Sequence, residues 1–305
     1  MFVTPGSRSG QKRPIILPSN SIADVRLSLT SGSPAPGGAQ TAKTSLYLTP
    51  YNGNRLALWN GVDWAVGSFT EATASLSGLT SNTNYDVFAY VSTSGAVALE
   101  LVAWSSSGAG SSSRATALVY KDGVLTKSGD PTRRFVGTIR ITNTTGQCED
   151  STAKRFVWNM HNRRRRSLVR IDGTLSWNYT TATVRQANGS AANQVEAVVG
   201  LDEDSLALLL IANMRNSSAG IAVGIGIGVD STTAYAANQL LYRTEMQAAG
   251  VAIGMTAKLD TIPSSGYHYF AWLEYSQASG TTTWFGDTDN ALIGGQSGLS
   301  GDCWA

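Results

Sequence analysis

The sequence predicts an all-β protein: two β-sandwich or jelly-roll-like domains behind an extended N-terminal arm. Three observations predict it. Apolar and polar residues alternate in many short runs, the period of a half-buried strand. Turn signals such as Asn60-Gly61 and Asp122-Gly123 separate those runs at the spacing of a sandwich or barrel. Charged residues make up only 14% of the 305 residues, against roughly 25% in an ordinary soluble domain. Thr, Ser, Gly and Asn fill the deficit, and they suit strands and turns. With 42% apolar residues the chain is not a disordered one, and its length suits two domains.

Residues 1–21 read as the arm. They carry Pro5, Pro14 and Pro18, Gly6 and Gly10, and the bases Arg8, Lys12 and Arg13, with no acid before Asp24. A tail of this composition is mobile on its own. The expectation is an anchor lying along another subunit, with Arg8, Lys12 and Arg13 as its partner contacts.

The first domain is expected over 22–148. Residues 26–30 (RLSLT), 45–48 and 55–59 alternate, and the last leads into the hairpin Trp59-Asn60-Gly61-Val62-Asp63-Trp64. Residues 85–91 (YDVFAYV) and 97–104 (VALELVAW) flank a Ser-Gly turn. Residues 115–120 and 125–127 flank Asp122-Gly123, and 135–142 close the domain.

A connector is expected over 149–168. The stretch 154–170 (KRFVWNMHNRRRRSLVR) holds seven of the 23 basic residues, and Arg163, Arg164, Arg165 and Arg166 are consecutive. Asp150 is the last acid before it and Asp172 the first after it. Like charges in a row repel, so the run is read as partner-binding, pairing with acids of a neighbouring chain. The apolar half, Phe156, Val157, Trp158 and Met160, is expected to be buried.

The second domain is expected over 169–305, with strands at 174–183, 194–200, 205–212, 221–230, 251–259 and 267–275. In IAVGIGIGV (221–229) the larger apolar residues take odd positions, while Ala222, Gly224, Gly226 and Gly228 share the other face. Glycine in a strand is entropically unfavourable. The glycines are therefore read as an oligomer contact, most simply in a homotrimer. Residues 287–305 read as a Gly-rich end in which Trp304 must dock somewhere.

The segments SLYLTPYNGNRLALWNG, NYDVFAYV, ALVYKDGVLTKSGDPTRRFVGT, AKRFVWNMHNR and SWNYTTATVRQANGSAANQ resemble fibre-associated virion proteins of tailed bacteriophages and prophages. They span most of 44–194, and the likeness thins to WLEYS beyond. The run Arg163 to Arg166 departs from the Pro-interrupted basic segment expected there. The resemblance implies a virion structural role and brings no defined chemistry. The leading expectation is a tail, baseplate-fibre or spike component, homo-oligomeric, located in the virion after synthesis in the host cytoplasm. It would bind other virion proteins through the arm and a host-surface receptor or glycan. A capsid decoration or head-fibre protein is the alternative within that class.

A host-surface glycan hydrolase is the alternative from another class. Glu274, Asp287 and Asp289, near Tyr267, His268 and Trp284, are its only candidate acids, and nothing in the sequence fixes their separation. No G-x-S-x-G or Walker-type phosphate loop is present. The expectation is a non-enzyme with neither cofactor nor metal. For glycan contact the candidates are Trp59 and Trp64, which bracket a hairpin, and Trp284. Two cysteines, Cys148 and Cys303, and two histidines exclude a Cys-rich zinc site and leave both a disulfide and two thiols open. A net charge of +2 gives no reason to expect nucleic acid. No apolar run reads as a secretory signal or a membrane span.

Overall fold

In the computed structural model, which describes residues 19–240, 242–288 and 295–305 (the side chains of Tyr242 and Thr288 apart), the alternation becomes sheets with one buried face. Leu206–Asn216 shows it plainly: Leu206, Leu208, Leu210, Ala212 and Met214 point inward, and the residues between them outward. Val223, Ile225 and Ile227 do the same from Ala222–Val229, Met255, Ala257 and Leu259 from Ile253–Thr261, and Phe270 and Trp272 from Gly266–Ser276. Each of the larger of these side chains contributes about 1.5–3 kcal/mol through burial, so this one core holds the second half together.

Eight strands of that half are, in chain order, Arg165–Ile171, Gln194–Val199, Leu206–Asn216, Ala222–Val229, Tyr242–Glu245, Ile253–Thr261, Gly266–Ser276 and Gly298–Trp304. One sheet runs first, eighth, third, sixth. The other runs second, seventh, fourth, fifth. Every one of these pairings is antiparallel. Two sheets interleaved in this order are the double Greek key of a jelly roll.

The first and eighth strands lie where the sequence reading placed a connector and a Gly-rich end. That reading is corrected. GLSGDCW shows little apolar alternation because Gly298 and Gly301 serve close approach: a Cβ on them would lie 2.4 Å from the Arg170 carbonyl oxygen and 2.0 Å from that of Ala207. Trp304 lies in this strand opposite Arg165 and is 39% exposed. The expected strand at 174–183 shrinks to Ser176–Asn178.

In the first half, Val25–Ser28, Ser45–Pro50 and Ala72–Ser75 form one sheet. A larger sheet runs Leu118–Lys121, Val124–Lys127, Asp130–Arg140, Asn84–Val91, Val97–Ser106. Between them lies a second core that includes Leu27, Leu46, Leu48, Leu56, Val87, Val136 and Ile139. The hairpin of Arg55–Trp59 and Trp64–Ser68 closes one side.

Residues 149–168 are no linker. Cys148–Asp150 and Lys154–Arg155 continue the jelly-roll sheet, with Lys154 and Arg155 parallel to Glu196 and Ala197. Val157–Asn159 instead pairs with Asp130–Arg140 of the first half. Phe156, Val157 and Trp158 are buried. Trp158 joins Phe88, Phe135, Leu125 and Val198 in a small third core, and its ring fills the space that a side chain on Gly200 would need. The halves keep separate main cores but share a sheet through this segment.

Cys148 and Cys303 are buried free thiols in different cores, which decides between the two alternatives. Burial pushes Cys303 up to about 12 and raises Cys148 as well. No helix among the described residues is long and apolar enough to cross a membrane.

Candidate functional site

The arginine run meets its counter-charges within its own chain. Arg163 pairs with Glu203 at 2.5 Å and with Asp204, its guanidinium 5.0 Å above the Trp158 ring. Arg165 grips Asp302 through Nε (2.9 Å) and Nη2. Arg166 Nη2 donates to Asp150 Oδ2 at 2.9 Å and to the Pro36 carbonyl at 3.2 Å. Of the four, only Arg164 has no ion pair among the described residues; it is exposed, and its backbone pairs with Ala305. The expectation of a partner-facing basic patch is corrected for Arg163, Arg165 and Arg166, whose acids come from 150, 203–204 and 302 of the same chain. Arg8, Lys12 and Arg13 lie outside the described residues.

The glycine face is also occupied from within. A Cβ on Gly226 would lie 2.5 Å from the Tyr235 ring and 2.9 Å from Gln239 Oε1, and one on Gly228 would lie 2.1 Å from the Ser231 carbonyl oxygen. Gln239 Oε1 accepts from the Ile227 amide at 2.6 Å, and its Nε2 donates to the Ile227 carbonyl at 2.7 Å. Gly224 is buried in the same strand. The close neighbour foreseen for Gly226 and Gly228 is therefore the chain's own 231–239 segment, in place of a symmetry mate.

Trp59 and Trp64 do bracket a hairpin, packed edge to face with centroids 5.9 Å apart. The fold brings a second hairpin beside them. Trp64 Nε1 donates to Asp122 at 3.0 Å, and Lys121 Nζ sits 4.2 Å above the Trp59 ring. The two indoles thus lock one hairpin to the other, and the open aromatic here is Tyr120, 74% exposed. Trp284 is fully buried in the jelly-roll core, with its Nε1 donating to Tyr179 O at 3.3 Å, so it offers nothing to a glycan.

Among the described candidate acids, Glu274 and Asp287 share no hydrogen-bond partner, Asp287 accepting from Gln296 Nε2 at 3.2 Å. Glu274 is fully buried, accepting from Trp177 Nε1 (2.8 Å), Arg185 Nε (2.8 Å) and the Asn188 amide (3.3 Å). Burial pushes its carboxyl up to about 7, the surrounding donors opposing. Asp289 lies outside the described residues. His268 faces Asp230 Oδ2 through Nδ1 at 2.7 Å, while Nε2 lies 2.8 Å from the Ser264 carbonyl oxygen and 3.4 Å from its hydroxyl. Asp, His and Ser are adjacent, but Nε2 is spent on a carbonyl and is not free to take a proton from Oγ. Two acceptors favour the imidazolium; burial opposes it, and the Asp230 contact leaves the pKa raised. Burial of the half-buried His161 ring, with the positive charges of Arg134 and Arg163 nearby, pushes its pKa down to about 3. No group of three or more His, Cys, Asp or Glu suited to a metal occurs among the described residues.

Sequence reading missed one feature, a depression of about 360 Å³ beside Arg140, lined by Trp104, Asn82, Thr83 and serines 105–107. Its floor and walls come from different strands, and only the run Ser105-Ser106-Ser107 hinted at it.

No protein-family model matches the chain, and no curated protein matches it. Among solved structures it is similar to one of the infectious bursal disease virus Gx strain, at 11% identity and TM-score 0.24, covering 92% of this chain and 71% of that one. The Gt strain gives 14%, 0.26, 92% and 70%. The insecticidal delta-endotoxin Cry8Ea1 from Bacillus thuringiensis gives 7%, 0.21, 92% and 50%. Likenesses at such scores carry no argument about function.

Proposed function

We propose that the protein is a structural component of a virion, acting by assembly and surface contact and not by catalysis. The observation that carries this reading is the double Greek key of 165–304, an architecture used by viral capsid and lectin domains. Because a fold hosts many functions, the side chains must agree with it, and they do. Of the described candidate acids, Glu274 is sealed and Asp287 is bonded to Gln296, and three of the four arginines of the run are paired internally. The shared sheet at 148–155 makes the two halves one building block.

Within that class the resemblance to fibre-associated proteins of tailed phages favours a tail, baseplate or spike position, with the basic arm as the attachment segment. The capsid use of the jelly roll favours a decoration or head-fibre position as the second reading. Mass spectrometry of density-purified particles from a producing culture tests the class. The chain should band with the particles in fixed stoichiometry. Recovery only in the soluble fraction would overturn the proposal.

A further inference from the structure

The depression beside Arg140 has what a binding site for an acidic sugar requires. Arg140 closes the strand Asp130–Arg140 and is 6% exposed. Its Nη1 is engaged, donating to Asn84 Oδ1 at 2.9 Å and to Ser107 O at 3.0 Å. The guanidinium carbon lies over the Tyr267 ring, 3.6 Å from its centroid. Its Nε and Nη2 find no acceptor among the described residues, and no carboxylate there lies within 4.0 Å of it. The nearby acid Glu196 is committed elsewhere, accepting from the Tyr267 hydroxyl at 2.7 Å and lying 3.9 Å from Lys154 Nζ.

A buried guanidinium without a counter-ion is costly, and burial lowers its pKa accordingly. The unused edge is the one that other arginines of this chain give to carboxylates. Arg165 holds Asp302 by Nε and Nη2, and Arg114 holds Asp86 by the same two atoms at 2.7 and 3.3 Å. A planar carboxylate fits such a fork with two parallel hydrogen bonds. Around it the lining supplies the Asn82 amide and the hydroxyl oxygens of Thr83, Ser105 and Ser106, whose own hydrogens go to the Ser81, Ser113 and Ser111 carbonyls, so that their lone pairs face a ligand as acceptors. Hydroxyl acceptors and an amide suit the donor hydroxyls of a polyhydroxylated ring better than an apolar molecule.

We infer that this depression binds a carboxylate-bearing sugar, the carboxylate on Arg140 and the ring hydroxyls on the Ser/Thr/Asn lining. The site belongs to the first half and stands independently of where the protein sits in a particle.

Calorimetric titration of the full chain with glucuronate, N-acetylneuraminate, glucose and inorganic phosphate tests it. At least one acidic sugar should bind saturably, glucose should not, and phosphate should bind more weakly. Arg140→Lys should weaken that binding at least about tenfold, which corresponds to about 1.4 kcal/mol. Because Arg140 also ties Asn84 to Ser107, a second variant leaves it in place. Asn82→Asp adds a carboxylate to the lining at nearly constant shape and should cut affinity for the acidic sugar while the melting temperature holds. Absence of saturable binding by both acidic sugars overturns the inference, as does equal binding of glucose. Phosphate binding as tightly as either sugar overturns the sugar assignment. Unchanged affinity in Asn82→Asp removes the site from this depression.

Discussion

Arg166 and Asp150 face each other across 2.9 Å, and the other oxygen of Asp150 takes Arg155 Nη1, also at 2.9 Å. One carboxylate is therefore shared by two arginines whose side chains are only 13% and 7% exposed. Removing one member of a buried ion group leaves uncompensated charge, a loss of about 3 kcal/mol. Asp150→Asn should accordingly lower stability by that order in urea denaturation, whereas Arg164→Ala should leave it unchanged. Equal stability of Asp150→Asn and parent would show that the run is solvated and not internally paired.

The glycine stripe gives a prediction opposite to an oligomer contact. Gly226→Val forces the Tyr235 ring and Gln239 aside, and overpacking of this kind costs about 1–3 kcal/mol. The variant should melt earlier at any protein concentration, with the oligomeric state by light scattering unchanged. A change of oligomer at constant unfolding free energy would restore the intersubunit reading.

Two buried groups make stability depend on pH in separable windows. His268 has a raised folded pKa through its Asp230 partner. Its contribution is complete below the unfolded value of about 6.5 and is lost as pH rises through the higher folded value. Glu274, raised from 4.5 to about 7 by burial, binds more protons when folded, so stability also declines as pH climbs between those two values. Urea midpoints should fall with rising pH in both ranges. His268→Gln should flatten the upper window only, and Glu274→Gln the lower. If both variants keep the parent's full pH profile, neither residue is the titrating group.

Local chemistry was legible in the sequence wherever it decided structure. Asn60-Gly61 and Asp122-Gly123 mark real hairpins, Gly61, Asp122 and Gly123 all having positive φ. The odd-numbered apolar residues of 221–229 do face the core. What the sequence hid was pairing at long range. The arginine run looked unopposed because Asp302 and Asp204 lie 137 and 41 residues from their partners. Gly298–Trp304 did not look like a strand because its glycines serve neighbouring backbones in place of a side-chain core. Trp284 could not be told from a surface indole until Leu206–Asn216 was laid beside it. Arg140 gave no sign of its open edge, since that depends on which strand ends meet.

The most direct measurement of the central claim is a cryo-electron microscopy map of particles from a producing culture. The claim requires density at regular sites on the tail or head into which the eight-stranded jelly roll of 165–304 fits, with the 148–155 strands joining it to the first half. A map of complete particles with every protein density assigned to other chains, and this chain recovered free in the supernatant, would contradict it.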